Sequence, residues 1–218
     1  MFIILPYNYK EKIAMGVRER KERDKAEMRE MILQSAHKLF IDRGFEEVSI
    51  RNIAEAIEYS PATIYLYFKD KNEIFYALHN EAFKRFNAMM GEHLSTIPDP
   101  FDRLIGMGEG YIRFAMEHPK YYEIMFIMES PMDCEENREE WEEGNKALAA
   151  LENLLITCQQ AGRFQGQDPR VLAFSIWSYM HGMCSLSLRK RLRCYSVEDG
   201  QRIPRESFEN FKMMLSNL

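Results

Sequence analysis

The chain has 218 residues, 46% of them hydrophobic, and carries 29 Lys+Arg against 34 Asp+Glu for a formal net charge of −5. A chain of that size can bury the core of one or two compact domains, and its acidic balance speaks against a protein that holds nucleic acid by overall positive charge. The charge is uneven, however: residues 1–90 hold 15 basic and 14 acidic residues, residues 91–218 hold 14 and 20, and the field that matters at a surface reaches only about 8–10 Å at ordinary salt. The four cysteines, Cys134, Cys158, Cys184 and Cys194, show no CxxC pairing, and without a signal peptide they read as reduced and cytoplasmic. Phe2–Leu5 is too short for a signal-peptide apolar region, Pro6 ends it, and Met15 is a candidate start.

Lys10 to Arg29 is a charged run with eight Lys+Arg and five Asp+Glu. It reads as a solvated helix extension, or as an arm in which Arg18, Arg20, Lys21, Arg23 and Lys25 touch phosphates. A first helix is expected from about Asp24 to Arg43, with Met28, Ile32, Ala36, Leu39 and Phe40 as its buried stripe and Gly44 as a left-handed C-cap. Two short helices follow. Ser49 caps the first, in which Ile50, Ile53, Ala54 and Ile57 recur at helical spacing. Ser60 and Pro61 start the second, with Ile64 and Phe68 inward and Thr63, Tyr65 and Tyr67 free to point elsewhere. A short helix held by its neighbour, with hydroxyls and amines displayed, suits a helix-turn-helix reader in a DNA major groove, but equally an ordinary helical hairpin with surface tyrosines.

A fourth helix runs from near Asp70 to about Leu94, before Pro98 and Pro100. Phe101–Glu117 is a helix holding Gly106, Gly108 and Gly110, which point to close helix packing or to room for a ligand. Pro119 starts another helix, through Met128. Asp133–Glu143, with seven acids and one Arg, reads as a solvated loop or helix start, with a divalent-cation site as a weaker option. Lys146–Ala161 is amphipathic through Leu148, Leu151, Leu154, Leu155 and Cys158. Val171 to Leu188 runs 18 residues without a charge. It is long enough for a membrane span, but four serines, His181 and Gly182 dilute it, so it reads as buried in a core and a subunit interface. The last helix is placed after Pro204, with Phe208, Phe211, Leu215 and Leu218 at helical spacing.

The segment Arg29–Phe75 resembles the N-terminal domain of the TetR family of transcriptional regulators. Leu33–Ala36–Leu39–Phe40, Gly44–Phe45, Ser49–Ile50–Arg51–Ile53–Ala54 and Thr63–Ile64–Tyr65–Tyr67–Phe68–Lys71 carry the likeness. Tyr59, where a small aliphatic residue is usual, and Pro61–Ala62 depart from the pattern. Trp177, His181 and Gly182 resemble a C-terminal class of TetR-like regulators named for those residues. The resemblance implies an all-α fold: a three-helix helix-turn-helix domain, residues 24–71, after an arm, residues 1–23. A connecting helix, residues 72–96, then leads to a helical ligand-binding and dimerisation domain, residues 97–218. It implies a homodimer on double-stranded operator DNA, a repressor by default, with Arg51 and Tyr65 facing bases or flanking phosphates. Thr63, Tyr67 and Lys71 would grip the backbone, Ala62 touch a thymine methyl, and Ser49 cap its helix and bind a phosphate.

There is no Walker loop, GxSxG or HExxH, and no carboxylate pair in an acid/base setting, so no catalysis and no cofactor are expected. His181 and Cys184 could share a metal, but a core histidine is the better reading. Among the 15 methionines, Met107, Met125 and Met180, with Tyr111, Phe114, Phe126, Trp177 and His181, suggest a cavity for a hydrophobic or aromatic effector; core filling is the plainer alternative. A helical small-molecule-binding or adaptor protein without sequence-specific DNA binding is the other reading of the whole chain.

Overall fold

The computed structural model describes residues 7–128 and 142–218. Phe2–Leu5, and Asp133–Glu143 apart from its last two residues, lie outside them, as does the side chain of Arg18. The described residues are helical and include no strand: α1 (Tyr7–Arg43), α2 (Ile50–Ala56), α3 (Pro61–Tyr65), α4 (Lys71–Leu94), α5 (Pro100–Glu117), α6 (Pro119–Phe126), α7 (Glu142–Gln160), α8 (Pro169–Leu188) and α9 (Val197–Ser216), with a 3-10 turn over Arg191–Cys194. The chain divides into two compact units, Met1–Leu78 and His79–Leu218, and the division falls within α4.

In the first unit α1 begins well before Asp24, because the charged run continues it. Helix-forming Glu, Lys and Arg residues fill that run, and Arg23 and Glu27 sit one turn apart with Nε and Oε1 3.6 Å from each other. In the later half of α1, Ile32, Leu33, Ala36 and Phe40 are buried. Gly44, at φ +86°, ends the helix and donates its N–H to Phe40 O at 2.8 Å. The chain turns there so that Phe45 meets Phe40 and Phe75, each pair with ring centroids 5.2 Å apart. Ile53, Ala54, Ile64, Phe68 and Ile74 complete this core. Each buried Phe or Ile contributes about 1.5–3 kcal/mol, which is what holds helices as short as α2 and α3, since neither would persist alone.

In the second unit α5 packs on α6, α7 and α8, and α7 on α8. The starts are locally encoded. Asp99 accepts from the backbone of Phe101 (2.8 Å) and Asp102 (2.9 Å) ahead of Pro100, and Asp168 from Arg170 (2.8 Å) ahead of Pro169. The α5 glycines serve close packing. A Cβ at Gly106 would lie 2.8 Å from Ile97, one at Gly110 2.8 Å from Met90 Sδ, and one at Gly108 3.1 Å from the Phe208 ring. Helix α8 is long and apolar enough to cross a membrane by length and composition. Here Leu172, Ala173, Ile176, Met180 and Cys184 are buried in the core of this unit, and the opposite face is exposed.

The last helix differs from the sequence expectation. It starts at Val197, capped by Ser196, whose Oγ accepts from Asp199 N at 3.1 Å, and Pro204 lies inside it. Pro204 still respects the helical φ; the Ser196 cap, not the proline, sets the start. Phe208, Phe211 and Leu215 are buried, whereas Leu218 lies past the helix end and is exposed.

Candidate nucleic-acid interface and body cavity

Two serine caps, the first of them reciprocal, shape the region between Val48 and Lys71. Ser49 Oγ accepts from Asn52 N at 3.2 Å, while Asn52 Oδ1 accepts from Ser49 N at 2.9 Å and from Ser49 Oγ at 2.7 Å. This is a capping box with Asn in the third helical position. It spends the Ser49 hydroxyl proton, so that a phosphate would have to displace Asn52 to receive it. Helix α2 then stops in a tight turn in which Glu58 takes φ 61° and Tyr59 N donates to Ala54 O at 2.9 Å. Ser60 Oγ accepts from Thr63 N at 3.3 Å and lies 3.1 Å from Thr63 Oγ1.

Helix α3 is anchored by Ile64 and Phe68, both buried, with the Arg29 guanidinium 4.7 Å from the Phe68 ring centroid. Its other side faces outward. Tyr65 is 58% exposed, Ala62 is exposed, and Thr63 and Tyr67 are half-buried. The Arg51 side chain is 80% exposed and pairs with Glu55, one turn on, at 3.1 Å; an exposed pair of this kind is worth only about 0.3–0.5 kcal/mol and yields readily to another anion. Leu66, 76% exposed, is a residue that sequence reasoning missed. A lone leucine between two tyrosines carries no periodic signal.

Lys71, expected to grip the DNA backbone, also has partners within the protein. Its Nζ donates to Phe45 O at 2.8 Å and Glu46 O at 3.4 Å, and lies 4.1 Å from the Phe45 ring centroid. The ammonium thus ties the start of α4 to the α1–α2 loop and keeps one N–H for anything else.

The second unit contains a cavity of about 620 Å³, within the range of drug-sized ligand sites. Helix α4 supplies Phe83, Phe86, Met90 and Leu94, α5 supplies Leu104, Met107 and Tyr111, and α6 supplies Met125 and Phe126. The rest includes Leu148 and Leu151 of α7 and Ile176, Trp177 and Met180 of α8, with Asn87, Glu143 and Lys146 as polar members. Six of the eight residues picked from sequence, Met107, Tyr111, Met125, Phe126, Trp177 and Met180, are brought together here. Phe114 and His181 are not. Phe114 is buried against Phe86, centroids 5.2 Å apart, and His118, 5.1 Å. The His181 ring stacks on Tyr122, with Nδ1 2.8 Å from the Tyr122 hydroxyl. Helical spacing marks such residues as inward but does not say whether a neighbour or a cavity meets them. The α4 contribution was missed because that helix reads as a connector.

Behind the cavity wall Tyr111 O–H donates to Tyr122 at 3.4 Å, and Tyr122 reaches His181. Burial raises both phenols, lowers His181 and pushes the Cys184 thiol up to about 12. All four are therefore neutral near pH 7. Among the described residues no group of three His, Cys, Asp or Glu side chains could hold a metal. At the other end, Asn87 Nδ2 donates to Glu143 Oε2 at 3.1 Å, and Lys146 Nζ sits 2.8 Å from Glu142 and 3.0 Å from Glu143. Lys146 holds the Glu143 carboxyl below the usual carboxylate range.

Residues 32–78 match the sequence profile described as "Bacterial regulatory proteins, tetR family", and residues 104–210 match "Tetracyclin repressor-like, C-terminal domain". An HTH-type transcriptional repressor of Mycobacterium tuberculosis is 30% identical over 87 residues, 36% of this chain and 46% of that protein. An HTH-type transcriptional regulator of Staphylococcus aureus is 39% identical over 54 residues, 25% of this chain and 29% of that protein. The chain thus spans less than half the length of these curated relatives. Among solved structures, the fatty acid degradation regulator FadR of Bacillus halodurans superposes with a TM-score of 0.69 at 20% identity, covering 84% of this chain and 94% of that one. AibR, solved with isovaleryl coenzyme A and operator DNA, gives 0.66 at 23% identity, over 86% and 97%. At these identities the superpositions speak for the fold.

Proposed function

The chain belongs to the TetR family of bacterial regulatory proteins, a family of regulators and not of enzymes, and from that premise we propose that it is a homodimeric, cytoplasmic DNA-binding transcriptional repressor. Two copies of the α2–α3 pair read half-sites of a near-palindromic operator, one turn or a multiple of about 34–36 Å apart. The observation that carries this reading is α3 itself: one side locked by Ile64 and Phe68, the other presenting exposed Tyr65 and Ala62 beside the exposed guanidinium of Arg51. Arg51 and Tyr65 face bases or their flanking phosphates. Thr63, Tyr67 and the remaining N–H of Lys71 take the backbone, Ala62 a thymine methyl, and Ser49 a phosphate once Asn52 yields.

The effector is a small hydrophobic or aromatic molecule held in the cavity between α4, α5, α6, α7 and α8. That AibR was solved with isovaleryl coenzyme A, and that FadR is a fatty acid degradation regulator, support a small-molecule effector with an apolar acyl part. Binding favours an arrangement of the two heads that no longer fits the operator, and releases it by differential affinity. The dimer forms through the exposed face of α8 with the end of α9, where Val171, Phe174, Met213 and Met214 lie open.

Mobility shifts with DNA upstream of its own gene test the proposal. Arg51→Ala should lose about 1–3 kcal/mol of preference for operator over random DNA; an equal loss on both would remove Arg51 from base reading. A chain that takes up ligand but shifts no DNA is instead a helical ligand-binding or adaptor protein.

A further inference from the structure

The cavity of the second unit has a shape as well as a lining. On α4 it touches Phe83, Phe86, Asn87, Met90, Gly91 and Leu94, which recur at helical spacing and so form one continuous stripe. From Phe83 to Leu94, at about 1.5 Å of rise per residue, the stripe is about 16 Å long. Spread over that length, a volume of about 620 Å³ leaves a mean width of about 7 Å, so the space is a cleft more than twice as long as it is wide. Its floor is buried, with Leu104 and Tyr111 of α5 and Ile176 and Met180 of α8. Its rim between α4 and α7 is exposed at Gly91, Asn145, Leu148 and Ala150. Gly91 differs from the glycines of α5. Each of those has a packing partner where a Cβ would stand, whereas at Gly91, among the described residues, nothing beyond the α4 backbone lies within 4 Å. A glycine inside a helix is less stable there than alanine, so packing does not account for this one. What it supplies is open space beside the apolar stripe.

We propose, resting on the reading of this cavity as the effector site, that the effector carries a single unbranched alkyl or acyl chain, which lies extended along α4 and passes over Gly91. An extended chain advances about 1.2 Å per bond, as the roughly 3.6 Å of a three-bond residue shows, so about a dozen carbons match the stripe. Such a chain reaches from the Phe83–Phe126 pair, ring centroids 5.4 Å apart, to Leu94. A compact ligand of equal apolar area touches only part of the stripe and leaves the remaining walls without contacts. The chain, not the head group that carries it, is what the cleft measures.

Isothermal titration of the full-length protein with n-alkanols from hexanol to tetradecanol, and with cyclododecanol, tests this. Affinity should rise about fourfold per added methylene and level off near dodecanol. Cyclododecanol, similar to decanol in apolar surface but closed into a wide ring, should bind about tenfold or more weakly than decanol. In Gly91→Trp the indole has open space to enter, and the levelling should come about three or four carbons sooner. Acyl coenzyme A esters of the same lengths should level off at the same carbon number as the alkanols. Three results would each overturn the proposal while leaving the effector role of the cavity standing: cyclododecanol equal to decanol, a rise that ends by octanol or runs unbroken through tetradecanol, or Gly91→Trp levelling off where the unaltered protein does. Failure of every probe, with operator binding intact, would overturn the effector role of the cavity and the chain with it.

Discussion

Two side chains carry consequences out of proportion to their size. Lys71 spends two of its three N–H donors on the carbonyls of Phe45 and Glu46 and sits over the Phe45 ring. Hydrogen bonds from a charged donor are worth about 1.5–3 kcal/mol each when partly desolvated. Lys71→Ala should therefore lower the stability of the protein by about 1–3 kcal/mol in urea unfolding, and weaken operator and random DNA alike. A salt slope reduced by about one would mark a phosphate contact besides the brace; an unchanged urea midpoint would deny the brace itself. His79 acts through pH. Burial lowers its pKa from 6.5 to about 4, so the fold holds it neutral while the unfolded chain protonates it below 6.5. Its contribution is complete above 6.5 and drains away as the pH falls towards 4, on the order of 3 kcal/mol in all. His181, also lowered by burial, adds in the same sense. Glu143 and Asp199 are lowered from 4.5 and 3.8, so their losses set in at more acid pH. Urea midpoints should fall between about pH 7 and about pH 4.5, and the fall should shrink in His79→Gln; an equally steep fall in that variant would assign the acid sensitivity elsewhere.

Helix α5 shows how one element mixes local and distant demands. Gly108 has the Phe208 ring 3.1–3.2 Å from where a Cβ would stand, and Phe208 is itself buried. A ring in a packed core cannot swing aside, so Gly108→Ala should cost about 1 kcal/mol or more despite the better helix propensity of alanine. Gly91 of α4 has nothing within 4 Å of its Cβ position, and Gly91→Ala should stabilise by about 0.5–1 kcal/mol. Thermal unfolding of the pair reads both signs, and a stabilising Gly108→Ala would show that the α5–α9 contact has slack. The same contrast explains what the sequence disclosed. Helix starts at Ser49 and Ser60–Pro61 were legible because a cap acts within three residues. The start of α9 was not, because Pro204 is compatible with a helix that Ser196 had already begun. The cavity was half legible. Methionines and aromatics marked the α5, α6 and α8 walls, but the share of α4 depends on which helices meet, and local spacing does not encode that. Phe114 and His181 went astray for the same reason: both point inward, one onto Phe86 and one onto Tyr122.

For the molecule as a whole, the outer face of α8 decides whether two heads can act together. Val171 and Phe174 are each 64% exposed, and Ser175, Ser178, Gly182 and Ser185 continue the same stripe at helical spacing towards Leu186. A stripe of small residues edged by large apolar ones lets a second helix approach closely and bury its neighbours. Left in water it would be an apolar surface with no use. If a second copy covers it, the protein meets its operator with two linked readers, and the second contact is made at the high effective concentration that linkage provides. Phe174→Glu places a charge in the middle of that contact. It should leave the chain folded, because Phe174 lies outside the core. Sedimentation should then show a monomer, and operator affinity should drop by about 10²–10⁴-fold, while each head keeps its weak grip on random DNA. A variant that stays dimeric would move the interface to another surface. One that turns monomeric yet binds the operator undiminished would mean that a single α3 is enough, and that the spacing of two heads is not what the effector controls.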